Sequence, residues 1–233
     1  MRWNCKKDDI MTYRPIPFPD RSLLTAQEAE EVSATYLAQM RRRHSVRHFD
    51  TAPISDVLLS NAISVAASAP SGANQQPWHF VIVKNPAMKM KIRLAAEAEE
   101  QKFYAGMAGD AWISALEPIG THSVKAHLSE APALIVVFAQ RYGLTEDGAR
   151  FKHYYVTESV GIAIGFLISA LHLSGLVCLE HTPNPMAFLN QLCNRPANEK
   201  PMMILPVGYA AKNAEIPAAA KVKKPLGEVL SVF

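Results

Sequence analysis

The sequence predicts an α+β domain: a mixed α/β sheet flanked by helices. Three observations carry that expectation. Apolar residues recur at helical spacing in some segments and run unbroken in short stretches elsewhere, and helical segments separate most of the strands. The punctuation agrees: Thr25-Ala-Gln-Glu28 is a capping box, Asn85-Pro86 is an N-cap with proline at N1, and Gly175 suits a left-handed C-cap. No repeat or linker divides the 233 residues, so 25–233 is expected to be one domain, after a Pro-rich arm over 1–24.

The elements follow in order. Thr25 opens a helix that puts Val32, Tyr36 and Met40 on one face and ends in Arg41-Arg42-Arg43. A second helix starts near Ser55 with Leu58, Ala62 and Ala66 in register and stops before Pro70. Residues 69–77 form a loop of small and polar residues that feeds a strand over 78–84. The helix after Asn85-Pro86 carries Ile92, Ala95, Ala96 and Glu100. Residues 105–120 are weakly patterned and read as a mobile lid, and a short helix over 123–128 leads to a strand over 133–139. Residues 142–150 read as a polar loop.

Residues 161–179 carry no formal charge, which is enough length for a membrane span. However, Gly175 divides the stretch, His172 lies in its second half, and Glu158 and Glu180 flank it without a Lys or Arg anchor. It reads instead as a buried helix ending at Gly175 and a buried strand over 176–180. Gly161-x-x-x-Gly165 would let another helix approach closely, in a core or a dimer interface. Asn184-Pro185 opens a short helix with Leu189 and Leu192, and 202–208 is a buried strand.

Composition excludes several classes. With 49% hydrophobic and 19% charged residues, the chain is not intrinsically disordered. A net charge of +3 from 24 basic and 21 acidic residues is too balanced to argue for nucleic acid. Cys5, Cys178 and Cys193 are odd in number and form no C-x-x-C, so neither a disulfide framework nor a zinc knuckle fits. A reducing cytoplasm is expected, with no membrane and no nucleic-acid partner. The first residues have no apolar core of the secretory type.

Glycine-rich phosphate loops, the G-x-S-x-G elbow and H-E-x-x-H are absent. His44 and His48 lack a third ligand, so no metal is expected. Three constellations remain. Arg41, Arg42, Arg43, His44 and Arg47 form a basic cluster, which is either a solvated helix end or a grip for a small-molecule phosphate; no aromatic platform interleaves for nucleic acid. Pro70, Ser71, Gly72 and Ala73 begin a turn-rich connection whose backbone amides would suit a close approach to an anion or cofactor. Glu99, Glu100, Tyr104 and Lys125 are the third; an ordinary charged surface explains each of them taken alone.

Arg43-His-Ser-Val-Arg47, Ala69-Pro-Ser-Gly-Ala73 and Gln76-Pro-Trp78 resemble the opening motifs of the FMN-dependent nitroreductase superfamily. The later motifs, in order, resemble its iodotyrosine deiodinase family: Lys91-Ile-Arg93, Glu100-x-x-x-Tyr104, Ala131-Pro132, His153-Tyr-Tyr155, Gly175-Leu-Val177, Thr182-Pro183, Arg195-Pro-Ala-x-Glu-Lys200, Leu205-Pro-Val-Gly-Tyr209 and Lys224-Pro-Leu226.

The resemblance implies a nitroreductase-like fold and a domain-swapped homodimer with two FMN sites at its interface. It implies that Arg43, His44, Ser45, Arg47 and Lys223 hold the FMN, with Pro70, Ser71 and Gly72 from the loop and Glu180, His181 and Thr182 beside the ring. Thr182 takes the catalytic place, its hydroxyl set to hydrogen-bond flavin N5. Ala73 would face a substrate phenolate with its amide, and Glu100, Tyr104 and Lys125 would grip an amino-acid zwitterion under a lid over about 100–128. The implied activity is FMN-dependent reductive dehalogenation of halotyrosines, releasing halide and tyrosine, with FMN reduced by an NAD(P)H-dependent donor or partner reductase. The alternative is an NAD(P)H-dependent nitroreductase or quinone reductase. Three departures stand out: His44 and Lys223 replace arginines, and Glu180-His181 precede Thr182 where animal relatives carry threonines. Animal members also carry an N-terminal membrane anchor; none is visible here, so a soluble, bacterial-type relative is expected.

Overall fold

The computed structural model describes residues 13–18 and 23–233. The expectations for Cys5, the first residues and part of the arm lie outside these. Thr25 Oγ1 accepts the Glu28 amide at 3.3 Å while the Glu28 carboxylate accepts the Thr25 amide at 2.8 Å, which starts α1 (Ala26–Arg41) as expected. Ser55 caps α2 (Asp56–Ala67), which buries Leu59, Ala62 and Ala66. β1 (Trp78–Val83) leads to α3 (Pro86–Lys102), begun by the Asn85 side chain accepting the Met88 amide. The chain continues through α4 (Asp110–Leu116), α5 (His127–Glu130), β2 (Ala133–Gln140), β3 (Tyr142–Leu144), β4 (Arg150–Lys152), α6 (Val156–Leu173), β5 (Val177–Cys178), α7 (Phe188–Leu192) and β6 (Glu199–Gly208).

The main sheet has the order β1-β2-β6-β5 with antiparallel pairings, and a Ser45–Cys178 bridge adds a parallel contact at its β5 edge. β2 is apolar without alternation because helices cover both faces. Ala133, Ile135, Val137 and Ala139 pack with α2 and α6, whereas Leu134, Val136 and Phe138 pack with α3, α5 and α7. This arrangement puts α3 and α5 on one face of the sheet, while the 179–184 segment continues from β5 alongside β6.

α6 has the length and composition of a membrane span, with mean hydropathy 1.7. In the fold it is a layer of the domain: Val160, Ala163, Ile164, Leu167 and Leu171 are buried in the core shared with α2 and the sheet, and Gly175 follows at φ +78° as expected. Its other face stays open. Gly161 and Gly165 would have nothing within 4 Å of an added Cβ, and Ile162, Phe166 and Leu173 are exposed. Among the described residues of one chain, therefore, Gly161-x-x-x-Gly165 meets no other helix. α1 touches α6 through Tyr36 Oη and Ser169 Oγ at 2.9 Å and through His172 Nε2 and the Gln39 carbonyl at 2.8 Å, yet Val32 and Tyr36 remain exposed.

Three local expectations need correction. Residues 142–150 are not a plain loop: β3 and β4 pair as a hairpin, with Phe151 packed so tightly on Gly143 that a Cβ there would lie 2.0 Å from the ring. Residues 105–120 are largely helical, as a π-turn over Phe103–Met107, α4 and a 3-10 turn over Glu117–Ile119. Their pattern is weak because Trp112, Leu116 and Ile119 face a cavity rather than the core. The short helix begins at His127, not near 123, because the Glu97 side chain takes the Lys125 amide.

Candidate active site

A cavity of about 270 Å³ opens between α3, α4 and the 179–184 segment. One side is set by the end of α3 and the π-turn that continues it, where Glu100 and Tyr104 stand four apart on the same side. The segment before α5 delivers Lys125 to them. Its Nζ lies 3.1 Å from Glu100 Oε2, donates to Thr121 Oγ1 at 3.0 Å, and sits 5.7 Å from the Tyr104 ring centre. The Lys125 side chain is 4% exposed and that of Glu100 13%, so the pair is an interior one rather than a solvated surface charge. Burial pushes the Lys125 ammonium down, and Glu100 opposes that shift. The trio expected from separate motifs is therefore assembled.

The opposite side carries Arg47, Glu180, His181 and Thr182. Glu180 links the cavity to the basic cluster: its Oε1 lies 3.5 Å from Arg43 Nη1, and its Oε2 accepts a hydrogen bond from Ser45 Oγ. Arg43 Nη1 is buried and has no hydrogen-bond partner among the described residues. Burial disfavours the charge on Arg47, and Glu180 supports it. Arg43 and His44 line a second cavity of about 270 Å³. Burial, then the charges of Arg43, Lys221 and Lys223, hold the His44 imidazole below its ordinary value.

The chain does not bring everything together. Pro70, Ser71, Gly72 and Ala73 do not line the cavity. Ser71 Oγ accepts the Gln76 amide at 2.9 Å, and the Gly72 amide donates to Ser159 Oγ at 3.2 Å. A Cβ on Gly72 would lie 2.5 Å from the Tyr154 carbonyl oxygen. Ala73, Asn74 and Gln76 all hold positive φ near 50°, a strained loop of the kind found at binding sites.

His127 lines the cavity beside His181, with ring centres 5.5 Å apart; no motif signalled it. Both rings are buried and their pKa values are pushed down to about 3, chiefly by burial and then by neighbouring charges, so they are neutral near pH 7. Trp112 and Phe103, stacked edge-to-face at 4.9 Å, were also missed, since aromatic residues in an aperiodic stretch carry no distinctive signal. His48 Nδ1 accepts the Glu215 amide at 3.2 Å, and no metal-ligating cluster occurs among the described residues. Cys178 and Cys193 are free, with thiols pushed up to about 12 and about 11 by burial, so neither is a ready nucleophile.

Residues 40–209 match the model of the Nitroreductase family. Among curated proteins, an iodotyrosine deiodinase of Haliscomenobacter hydrossis is 48% identical over 82% of this chain and 87% of its own length. One of Hydra vulgaris is 39% identical over 97% of this chain and 81% of its own. A crystal structure of oxidised iodotyrosine deiodinase bound to FMN and 3-iodo-L-tyrosine superposes with a TM-score of 0.71 at 31% identity, covering 85% of this chain and 98% of that one. A BluB-like flavoprotein from Clostridium difficile 630, 21% identical over 84% of this chain and 98% of its own with a TM-score of 0.63, shares the fold. With the family model spanning most of the chain and relatives matched over most of their length, the chain belongs to the nitroreductase family and, within it, to the iodotyrosine deiodinases.

Proposed function

We propose that this chain is an FMN-dependent reductive dehalogenase of halogenated tyrosines, working as a cytoplasmic homodimer. The observation that carries the reading is the buried Glu100–Lys125 pair beside Tyr104 at the wall of the cavity. The two charges satisfy one another within the chain, so this corner of the pocket is neutral. A zwitterion exchanges that one ion pair for two, ammonium on Glu100 and carboxylate on Lys125, and keeps the balance. A ligand with only one charge leaves a buried partner unmatched, which is costly. Phe103, Trp112, Leu116 and Ile119 supply apolar walls for an aromatic ring, and a covering lid over about 100–128 excludes water and strengthens these contacts.

The chain's residues fit FMN. Arg43, whose buried Nη1 has only the Glu180 carboxylate at 3.5 Å and no hydrogen-bond partner among the described residues, together with His44, Ser45, Arg47 and Lys223, would hold an anionic cofactor, and Thr182 would offer its hydroxyl to flavin N5. Reduced FMN supplies the two electrons that, with one proton, replace the halogen by hydrogen and release halide. Pro70, Ser71, Gly72 and Ala73 would complete the site from a second copy, with the Ala73 amide meeting the phenolate. The open Gly161 and Gly165 face and the exposed Val222, Leu226, Val229 and Val232 favour such a dimer.

The test is the absorption spectrum of purified protein, then anaerobic incubation of its reduced form with 3-iodotyrosine. A yellow protein that releases iodide is expected; no halide above a flavin-only control refutes the reading. Fast NAD(P)H-driven turnover of nitroaromatics without affinity for iodotyrosine would replace it by a nitroreductase or quinone reductase.

A further inference from the structure

Three side chains along α3 and the π-turn that follows it reach the same residue. Glu100 meets the Lys125 ammonium at 3.1 Å, Tyr104 presents its ring 5.7 Å away, and Glu97 Oε1 accepts the Lys125 backbone amide at 2.7 Å. Only the first two belong to the proposed substrate grip. Glu97 is itself held: Arg93 Nε donates to the same oxygen at 2.8 Å, and Arg93 Nη1 donates to Ser129 Oγ at 2.9 Å. Ser129 Oγ in turn donates to the carbonyl of Ala126, the residue after Lys125. The bonds thus run from α3 to α5 and back to the backbone beside Lys125. They are partly buried, with Arg93 22% and Glu97 15% exposed.

Lys125 precedes α5, so no helical carbonyl is available to its amide. Lysine has a long, freely rotating stem, so the direction of its ammonium depends on where its backbone is anchored. We propose that Glu97, locked by Arg93, is a positioning residue that sets Lys125 at the height where its ammonium reaches both Glu100 and an incoming carboxylate. Glu97 touches no substrate. The inference rests on the substrate reading above, through the role given to Lys125, but the anchoring itself is a property of the chain alone.

The experiment uses the FMN-loaded protein with Glu97→Ala, Glu97→Gln and Arg93→Met. Titration of flavin fluorescence with 3-iodotyrosine should show Kd raised at least roughly ten-fold in Glu97→Ala, the range for losing a hydrogen bond to a charged group. Glu97→Gln keeps an acceptor oxygen and should lie between, as should Arg93→Met. Saturating kcat should change far less than KM. Independently of any substrate, pulse acetylation read by peptide mass should label Lys125 faster in Glu97→Ala than in wild type, relative to the other lysines. If Glu97→Ala does not fold, Glu97→Gln and Arg93→Met carry both measurements. Unchanged Kd and unchanged Lys125 labelling overturn the positioning role. Failure of wild type to bind 3-iodotyrosine, with faster Lys125 labelling in the variants, would refute the substrate reading and leave the anchor standing.

Discussion

Replacing Glu100 by Gln should destabilise the protein, and replacing Lys125 by Met as well should restore it. At 3.1 Å the Glu100–Lys125 attraction is about 5 kcal/mol at an effective dielectric constant of about 20. Removing each charge from water costs several kcal/mol. At Lys125 burial is the leading influence, and the ammonium's pKa is lowered even with Glu100 beside it. The pair is therefore no net source of stability; each charge is tolerated because the other is present. Glu100→Gln leaves a 4%-exposed ammonium facing neutral acceptors, the new amide oxygen and Thr121 Oγ1, with no counter-charge beside it, a loss of about 3 kcal/mol. The double variant Glu100→Gln, Lys125→Met should fall within about 1 kcal/mol of wild type or above it. Urea unfolding of all four proteins at pH 7 and one protomer concentration closes the cycle. If the single losses simply add, or Glu100→Gln costs under about 0.5 kcal/mol, Lys125 relaxes to solvent and the buried-pair reasoning is wrong. Adding 3-iodotyrosine should raise Tm of wild type and not of the double variant.

Other outcomes follow from the same structure. His127 and His181 are held neutral with pKa values near 3, against an ordinary 6.5. The unfolded chain binds their protons first, so stability should be insensitive to these rings above pH 6.5 and fall on acidification toward pH 3, by up to ~1.4 kcal/mol per pH unit for each ring. Urea midpoints of His127→Phe, His181→Phe should show a flatter acid limb, and an unchanged slope would contradict it. Gly175→Ala, at φ +78° with open space around its Cβ, should lose about 1 kcal/mol through backbone strain alone. Leu167→Ala, fully buried in α6, should lose about 2–5 kcal/mol in the same denaturant assay. Gly165→Trp places bulk on the open face of α6 and should leave each chain folded by circular dichroism while sedimentation shows monomer; a dimer of unaltered affinity would exclude that face from the interface.

Much of this molecule is legible in its order of residues. The starts at Thr25 and Asn85, the stop at Gly175 and the unbroken apolar run of β2 follow from interactions that reach at most a few residues, so sequence alone determines them. The ordered motifs between Arg43 and Tyr209 likewise carried the family. Other features needed the chain to meet itself. Glu97, Glu100 and Lys125 look like solvated charges until the sheet brings α3 and α5 side by side; only then does a buried ion pair with an anchored lysine exist, at the wall of the cavity that α4 also lines. His127 became a cavity wall because His181, far along the chain, stacks beside it. The 142–152 hairpin formed where turn-rich polarity suggested none, because Gly143 lets the Phe151 ring lie on its backbone. Local rules act within a turn of helix or one strand, whereas burial, and with it the meaning of a charge, is decided by which distant segment packs on top.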